Sequence, residues 1–434
     1  MLPQRRGGTK MDLSIVSEKR RLAIVLLLFV ASLINYFDRA AISLALPLIS
    51  KDLHLGPESK GILLSSFFWS YALMQVPIGW CADRFNLRWL YAAAFAWWSL
   101  AQGLTGFAGS LLVLVSFRIL LGVGESIYLP GGTKIVSLLF SHKERGLPSG
   151  FFDAGTRTGL VLEGVLVPWL LVYYGWRHTF LIIGFAALVW LVPWFLFFPR
   201  RLQATKNGPT PPKAQVSSAF RWRALLNRNL LGICLGFFCF DYYWYVLVTW
   251  LPDYLVTVRH LSIQQAGFFS ALAFFTFGAA EPIGGWIADC LIGRGWDETR
   301  TRKGIVTVAF LTGLLLIVVL HTADTRMAVA VLIGASLVGF STGNLLAILQ
   351  SCAPLEDVGI WTGAENFAGN LAGIIAPLVI GLLIKTTGSY VPGFSIGSIV
   401  LLLGLLPYWF IVGELKHQPS PAELKVDRDV LSSG

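Results

Sequence analysis

The chain has 434 residues, 55% of them hydrophobic and only 13% charged, with a formal net charge of +10. A soluble domain carries roughly a quarter charged residues, so this composition excludes a soluble enzyme or scaffold and indicates a polytopic membrane protein. The basic residues cluster in loops on alternate sides of apolar segments. That pattern sets topology and does not call for a nucleic-acid partner.

In chain order, a polar, basic segment covers 1–21. Apolar spans follow near 22–48, 61–82, 88–108, 111–139, 147–173 and 178–198. A polar stretch, 199–228, contains Pro209, Pro211 and Pro212 and reads as a linker with a short amphipathic helix near 218–228. Six more spans lie near 229–257, 266–291, 303–321, 327–352, 358–385 and 391–414, before a polar tail at 415–434. Each is long enough to cross a bilayer, which takes about 20 residues. The stretch Leu22 to Leu48 is too long for the apolar part of a cleavable signal, so the first span is expected to stay in the membrane. The expected fold is all-α, with twelve transmembrane helices in two six-helix halves, 22–198 and 229–414.

Lys and Arg set the orientation. The N-terminus has Arg5, Arg6, Lys10, Lys19, Arg20 and Arg21, and the central loop has seven basic residues and no acidic one. Arg84 and Arg88, Lys143 and Arg145, and Arg294 to Lys303 fall in the second, fourth and eighth loops, all on the same side. Both termini and the central loop are therefore expected to be cytoplasmic, in a bacterial inner membrane. The five cysteines form no CxxC pair and read as small apolar packing residues, and no metal set is evident.

Within this apolar frame, charges stand out. Asp38 and Arg39 lie near the middle of span one, and Arg118 and Glu125 lie in span four. An ionisable residue at membrane depth is costly and marks a substrate or proton path by default. The seven-residue spacing of Arg118 and Glu125 puts them on one helix face, about 10 Å apart along the axis. Asp38 and Arg39, as sequence neighbours, diverge by about 100° and face different partners. An arginine in a low-dielectric cavity is a planar fork suited to a carboxylate. On a buried glutamate, desolvation and a nearby arginine act with opposite signs. Gly122 and Gly124 allow close helix approach, and Pro130 with Gly131 and Gly132 should bend the helix.

The halves are related. Pro77-Ile78-Gly79-Trp80-Cys81-Ala82-Asp83-Arg84 ends span two, and Pro282-Ile283-Gly284-Gly285-Trp286-Ile287-Ala288-Asp289 ends span eight. Such internal repeats are found in transporters whose site lies near the midplane between halves. The run from Gly79 to Arg88 resembles the loop signature of the major facilitator superfamily, G-x-x-x-D-R-x-G-R/K-R, with Asn86 in place of the usual Gly and Leu87 at one basic position.

Within that superfamily the chain resembles the anion:cation symporter family, which includes bacterial sugar-acid/proton symporters and the animal sialic acid and vesicular glutamate transporters. Three stretches carry this: Asn35-Tyr36-Phe37-Asp38-Arg39; Arg118 through Arg145, with Glu125, Pro130, Lys134 and Glu144; and Gly363 through Pro377, with Asn366, Gly369, Asn370 and Gly373. The resemblance implies proton-coupled symport of a small organic anion by alternating access, with the proton as coupling ion, no cofactor, and a monomer as the working unit. It assigns Asp38 and Glu125 to proton coupling and Arg39 and Arg118 to the anion, with Tyr36 beside them.

Thr156, in span five, is a candidate for a sugar hydroxyl contact. The family usually has a small polar residue where Asp153 stands, and the roles of Asp153, Arg157 and Glu163 stay open: Glu163 is either a third titratable group or a partner of Arg157. In the second half, Tyr242 belongs to an aromatic wall, Asp241 to Tyr245, and Asn344 and Asn366 are candidate ligands. Asn370 reads as an interhelical bond. Asp83, Arg84, Arg145, Glu281 and Asp289 read as gate residues, with Asp83 able to cap a facing helix.

An enzyme would need a His, Asp and Glu cluster, yet all six histidines (54, 142, 178, 260, 321 and 417) sit in loops or at span edges. A channel would need charged rings or filter repeats. A cation or drug antiporter would have buried acids without two buried arginines. The carried acid is left open among hexuronates, aldonates, aldarates, tartrate-like and aromatic acids, and a non-transporting sensor would share the same pattern.

Overall fold

The computed structural model describes residues 17–140, 146–200, 226–354 and 358–415. Arg145, most of the 199–228 linker, most of the N-terminal segment and nearly all of the tail lie outside the described residues, as does the side chain of Asp83. Among the described residues every regular element is helical.

The first span is α1, Glu18–Leu53, followed by α2, Pro57–Arg84, and α3, Leu87–Leu104. Span four is broken into α4, Leu111–Glu125, and α5, Tyr128–Leu139. Spans five and six run through α6, Gly146–Ala187, and α7, Leu191–Phe197, with the chain turned at Gly175 in a left-handed conformation (φ 70). That region favours glycine because a Cβ crowds the following carbonyl. Span seven is α8, Arg228–Thr257, and span eight is α9, Ile263–Gly293. Span nine is α10, Glu298–Thr312, and α11, Leu315–His321; span ten is α12, Thr325–Ala335, and α13, Thr342–Cys352. Spans eleven and twelve are α14, Val358–Thr387, and α15, Val391–Leu403, the latter continued by a π-turn, Pro407–Ile411.

Nine described stretches are long and apolar enough to cross a membrane by length and composition. One of them, Pro148–Phe197, holds two spans, and α2 and α3, at 28 and 18 residues, complete the twelve.

Contacts group the described residues into two compact units. One combines those within Met1–Ala219 with Val248–Phe275 and Pro377–Ser389; the other combines those within Phe220–Leu247, Thr276–Ala376 and Tyr390–Gly434. This grouping cuts across the covalent six-and-six organisation, because the far ends of α8, α9 and α14 pack with the first six spans.

Glycines set the helix crossings. In the first unit, a Cβ on Gly122 of α4 would stand 2.4 Å from the Phe67 carbonyl oxygen of α2. In the second, a Cβ on Gly339, between α12 and α13, would stand 2.2 Å from the Phe277 carbonyl oxygen of α9. Span two meets span four as span eight meets span ten, so the repeat in the sequence is also a repeat in packing.

The crossing of α1 and α6 is tighter still. A Cβ on Gly159 would stand 2.4 Å from the Leu33 carbonyl oxygen, and Ser32 Oγ donates to the Phe152 carbonyl (2.5 Å). Neither backbone can shift without breaking its own helix. Gly159→Val is therefore expected to cost ~1–3 kcal/mol or more of stability, read as a lower thermal midpoint of the purified protein. Gly150→Ala, on the same helix but facing open space, should be neutral. Equal midpoints for the two would refute the packing argument.

The motif after α2 also has a structural account. Asn86 is the N-cap of α3, accepting from the Arg88 backbone N–H at 2.9 Å. Arg88 is buried and donates to the carbonyls of Phe195 (2.7 Å) and Phe198. The asparagine thus does a capping task that glycine, with no side chain, would leave to water.

Candidate functional site

Four charges converge inside the first unit. Asp38, Arg39, Arg118 and Glu125 have 0%, 5%, 2% and 0% of their surface exposed. Glu125 closes α4 because of the proline that follows. Pro130 has no N–H to give the Ser126 carbonyl, and its ring crowds that carbonyl, so the helix breaks at Ser126–Ile127 and restarts at Tyr128. The bend expected from Pro130 thus falls at the carbonyl it leaves free, one turn before it, and leaves Glu125 at the break.

Arg39 Nη2 donates to Glu125 Oε2 at 3.2 Å and to Asn35 Oδ1 at 3.1 Å. Its guanidinium carbon lies 4.5 Å from the Tyr36 ring centre, 4.7 Å from Phe67 and 4.6 Å from Tyr71. These three rings hold the charge by cation–π attraction while excluding water.

Arg118 is held more loosely. Its Nη2 donates to the Arg39 carbonyl at 3.4 Å and its guanidinium lies 5.0 Å from the Phe67 ring. Its Nε and Nη1 are buried and donate to nothing among the described residues. Asp38 turns away from Arg39, as helix geometry requires. Among the described residues its carboxyl oxygens accept no hydrogen bond, its carbonyl accepts from Gln102 Nε2 at 3.1 Å, and Glu125 and Arg118 are the charges within its electrostatic reach. Two carboxylates and two guanidiniums make the cluster neutral when all are ionised.

A second tier surrounds Tyr36. Its ring meets Tyr128 edge-on at 6.4 Å, and Tyr128 OH donates to Asp153 Oδ1 at 2.9 Å. Asp153 and Arg157 both lie within electrostatic reach of Tyr36. Thr156 is buried, and its hydroxyl donates to the Asp153 carbonyl at 2.8 Å, so only its lone pairs remain for a ligand. Glu163 is 1% exposed with Oε1 accepting nothing, and no ion pair joins it to Arg157 among the described residues.

The second-unit residues are placed as follows. Tyr242 is buried against Phe238, with ring centres 6.2 Å apart. Asn344 is fully buried, and its Nδ2 donates to the carbonyls of Gly284 and Phe340, each at 3.1 Å. The bond to Gly284 ties α13 to α9, and the one to Phe340 stays within span ten. Asn366 accepts from Asn370 Nδ2 at 2.6 Å on the same face of α14. Arg84 stacks on Trp80 at 4.1 Å. Asp289 pairs with Arg302 at 3.0 Å, and Glu298 holds the same guanidinium at 2.9 Å. Glu281 lies half-buried two turns before Asp289. A separate cavity of about 620 Å³, lined by Ile287, Trp296, Arg300 and Phe340 among others, holds none of the four clustered charges.

Phe67, Tyr71, Gln102 and Tyr128 complete the site and were not singled out from sequence. Phe67 and Tyr71 are one turn apart on α2, a spacing that marks a shared face but not the arginine it covers.

Buried arginines matched by buried carboxylates in a twelve-span helical membrane protein define a membrane transporter. The chain belongs to the Major Facilitator Superfamily, whose family model matches residues 28–377. It is 30% identical over 423 residues to a probable galactarate/D-glucarate transporter of Bacillus subtilis, covering 91% of this chain and 92% of the relative. It is 28% identical over 418 residues to a D-galactonate transporter of Escherichia coli, covering 92% and 97%. Among solved structures it resembles a bacterial homologue of the human lysosomal transporter Spinster, at a TM-score of 0.77 and 19% identity over 93% of this chain and 100% of the other. That last likeness is one of fold.

Proposed function

We propose that the protein is a proton-coupled symporter of a sugar acid, an aldarate or aldonate, working by alternating access in a bacterial inner membrane with both termini cytoplasmic. The observation that carries this reading is Arg118, a buried guanidinium with Nε and Nη1 open beside an unbonded Asp38 carboxyl. Protonating Asp38 and Glu125 removes two negative charges and leaves Arg39 and Arg118 uncompensated. An anion then enters and offsets that positive charge, its carboxylate at the open N–H groups of the Arg118 fork. Release of the anion on the other side lets both carboxylates ionise again. The names of the relatives support a hydroxylated acid, and polar groups such as Thr156, Tyr128 and Asp153 suit its hydroxyls.

Reconstituted protein should accumulate labelled galactarate, glucarate or galactonate only when the side of entry is more acidic, and a protonophore should abolish the accumulation. Preference for tartrate or an aromatic acid would refute the substrate class. Binding without uptake of any acid would make the protein a sensor.

A further inference from the structure

Glu163 is a buried carboxyl that the anion site does not use, and the helices on either side of it are pressed close. One turn before it on α6, a Cβ on Gly159 would stand 2.4 Å from the Leu33 carbonyl oxygen of α1. At the residue after it, a Cβ on Gly164 would stand 2.7 Å from the Gly267 carbonyl oxygen and 2.8 Å from the Ala271 Cβ of α9. Glu163 thus projects between two glycine crossings, 1% exposed and with Oε1 accepting no hydrogen bond among the described residues. Spans five and eight belong to different six-helix halves, so the α6–α9 crossing is a contact between halves.

No countercharge accompanies this carboxyl. Gly164 meets Gly267 and Ala271, and Pro168, one turn further along α6, meets Gly267, so the two helices run antiparallel. The residue before Gly164 and the residue before Ala271 then fall on the same edge of the crossing. The latter is Ser270, 1% exposed, with its Oγ likewise buried and unbonded. Residues 263–275 of α9 carry no ionisable side chain. The ionisable groups nearest in the packing are Tyr36, Asp38 and Arg39 of α1, Tyr128 of α5, and Asp153 and Arg157 of α6 itself. None of them is within electrostatic reach of Glu163. A hydroxyl does not compensate a full charge away from water, so the carboxyl is neutral while the crossing is closed. An amide or apolar side chain would fill the same space; a carboxyl behaves differently only where water reaches it in another state.

We propose that Glu163 is a proton-dependent latch on the α6–α9 crossing. The carboxyl holds a proton while the crossing is closed and releases it to water when the crossing parts. Acid therefore favours the closed form and alkali the open one. One proton leaves per opening, so opening becomes about tenfold more favourable per pH unit, over the range where a water-exposed carboxylate is ionised and the enclosed one is not. That the crossing parts at all rests on the alternating-access reading above.

The test is the labelling rate of Val167→Cys by a charged, water-soluble thiol reagent at a series of pH values. Val167 is 0% exposed and lies one turn beyond Glu163 on α6. The purified protein is otherwise cysteine-free and carries Asp38→Asn and Glu125→Gln, which silences the anion site. Dividing its rate by that of the same protein with Glu163→Gln removes the thiol's own titration. This ratio should rise with pH, by up to about tenfold per unit. A ratio that stays flat while both proteins label would overturn the latch alone. No labelling of either at any pH would show that the crossing does not part, and would overturn alternating access at this crossing along with the latch. Should Glu163→Gln not fold, Glu163→Met, which removes the polar head, is the reference in its place. Because the proton is taken up and released at the same end, protons moved per anion should be unchanged in Glu163→Gln with Asp38 and Glu125 intact. A ratio lowered by one would mean that this proton crosses the membrane, and would overturn the latch.

Discussion

Arg118→Lys is expected to lower substrate affinity about 10- to 100-fold, and Glu125→Gln is expected to abolish gradient-driven accumulation while leaving exchange intact. The two outcomes follow from different features of one cluster. Lysine keeps the charge of Arg118 but not its flat fork, whose Nε and Nη1 each have an N–H open to a carboxylate. Hydrogen bonds to charged groups contribute about 1.5–3 kcal/mol, which is roughly one to two powers of ten in affinity. Binding of the labelled acid by the purified variant checks it, and a wild-type affinity would remove Arg118 from the anion site.

Glu125→Gln acts on coupling. Glutamine still accepts from Arg39, so the 3.2 Å contact and the three-ring box around the guanidinium persist. What is lost is the ability to alternate between charged and neutral. Arg39 is then uncompensated at every pH, the anion binds without needing a proton, and loaded carrier cycles in both directions. Counterflow of labelled against unlabelled acid should survive, and uphill uptake should not. Retained pH-driven accumulation in Glu125→Gln together with Asp38→Asn would refute proton coupling at this cluster.

The spans were legible because lipid permits few alternatives: a backbone in hydrocarbon must bond to itself. The four central charges were legible for the same reason, since lipid makes their burial conspicuous. The break before Tyr128 was legible from Pro130, because a proline acts on the carbonyl four residues back. The aromatic box was not legible, because Tyr36 and the pair Phe67 and Tyr71 meet Arg39 from different helices. Asn344 carries a signature that fits a ligand or an interhelical bond equally well, and the 3.1 Å distance to the Gly284 carbonyl shows a bond that ties two helices.

The other large effect lies at the far end of the first unit, away from the N-terminus. Lys60, in the first turn of α2, holds both carboxyl oxygens of Asp253 near the end of α8, at 3.0 and 3.1 Å. Asp253 is fully buried and Lys60 is 13% exposed. Beside this pair, a Cβ on Gly61 would stand 2.7 Å from the Pro377 carbonyl oxygen of α14. A second pair, Glu58 with Lys385 of α14, is about half-exposed on both sides; such pairs contribute at most about 1 kcal/mol. The buried pair is the stronger fastening, because removing one partner leaves an uncompensated charge at a cost of about 3–5 kcal/mol. Asp253→Asn should therefore shift the balance toward a conformation with this end open by roughly two to four powers of ten. Glu58→Gln should shift it little. The measurement is the labelling rate of a cysteine placed at Ser66, buried less than two turns inward on α2, by a membrane-impermeant thiol reagent in a cysteine-free background. Labelling should be fast in Asp253→Asn, slow in the parent, and slow again when Lys60→Asp is combined with Asp253→Lys, which restores the pair with its charges exchanged. If the single variant labels no faster than the parent, the ion pair does not hold this end closed, and the glycine crossing at Gly61 carries the closure by packing alone.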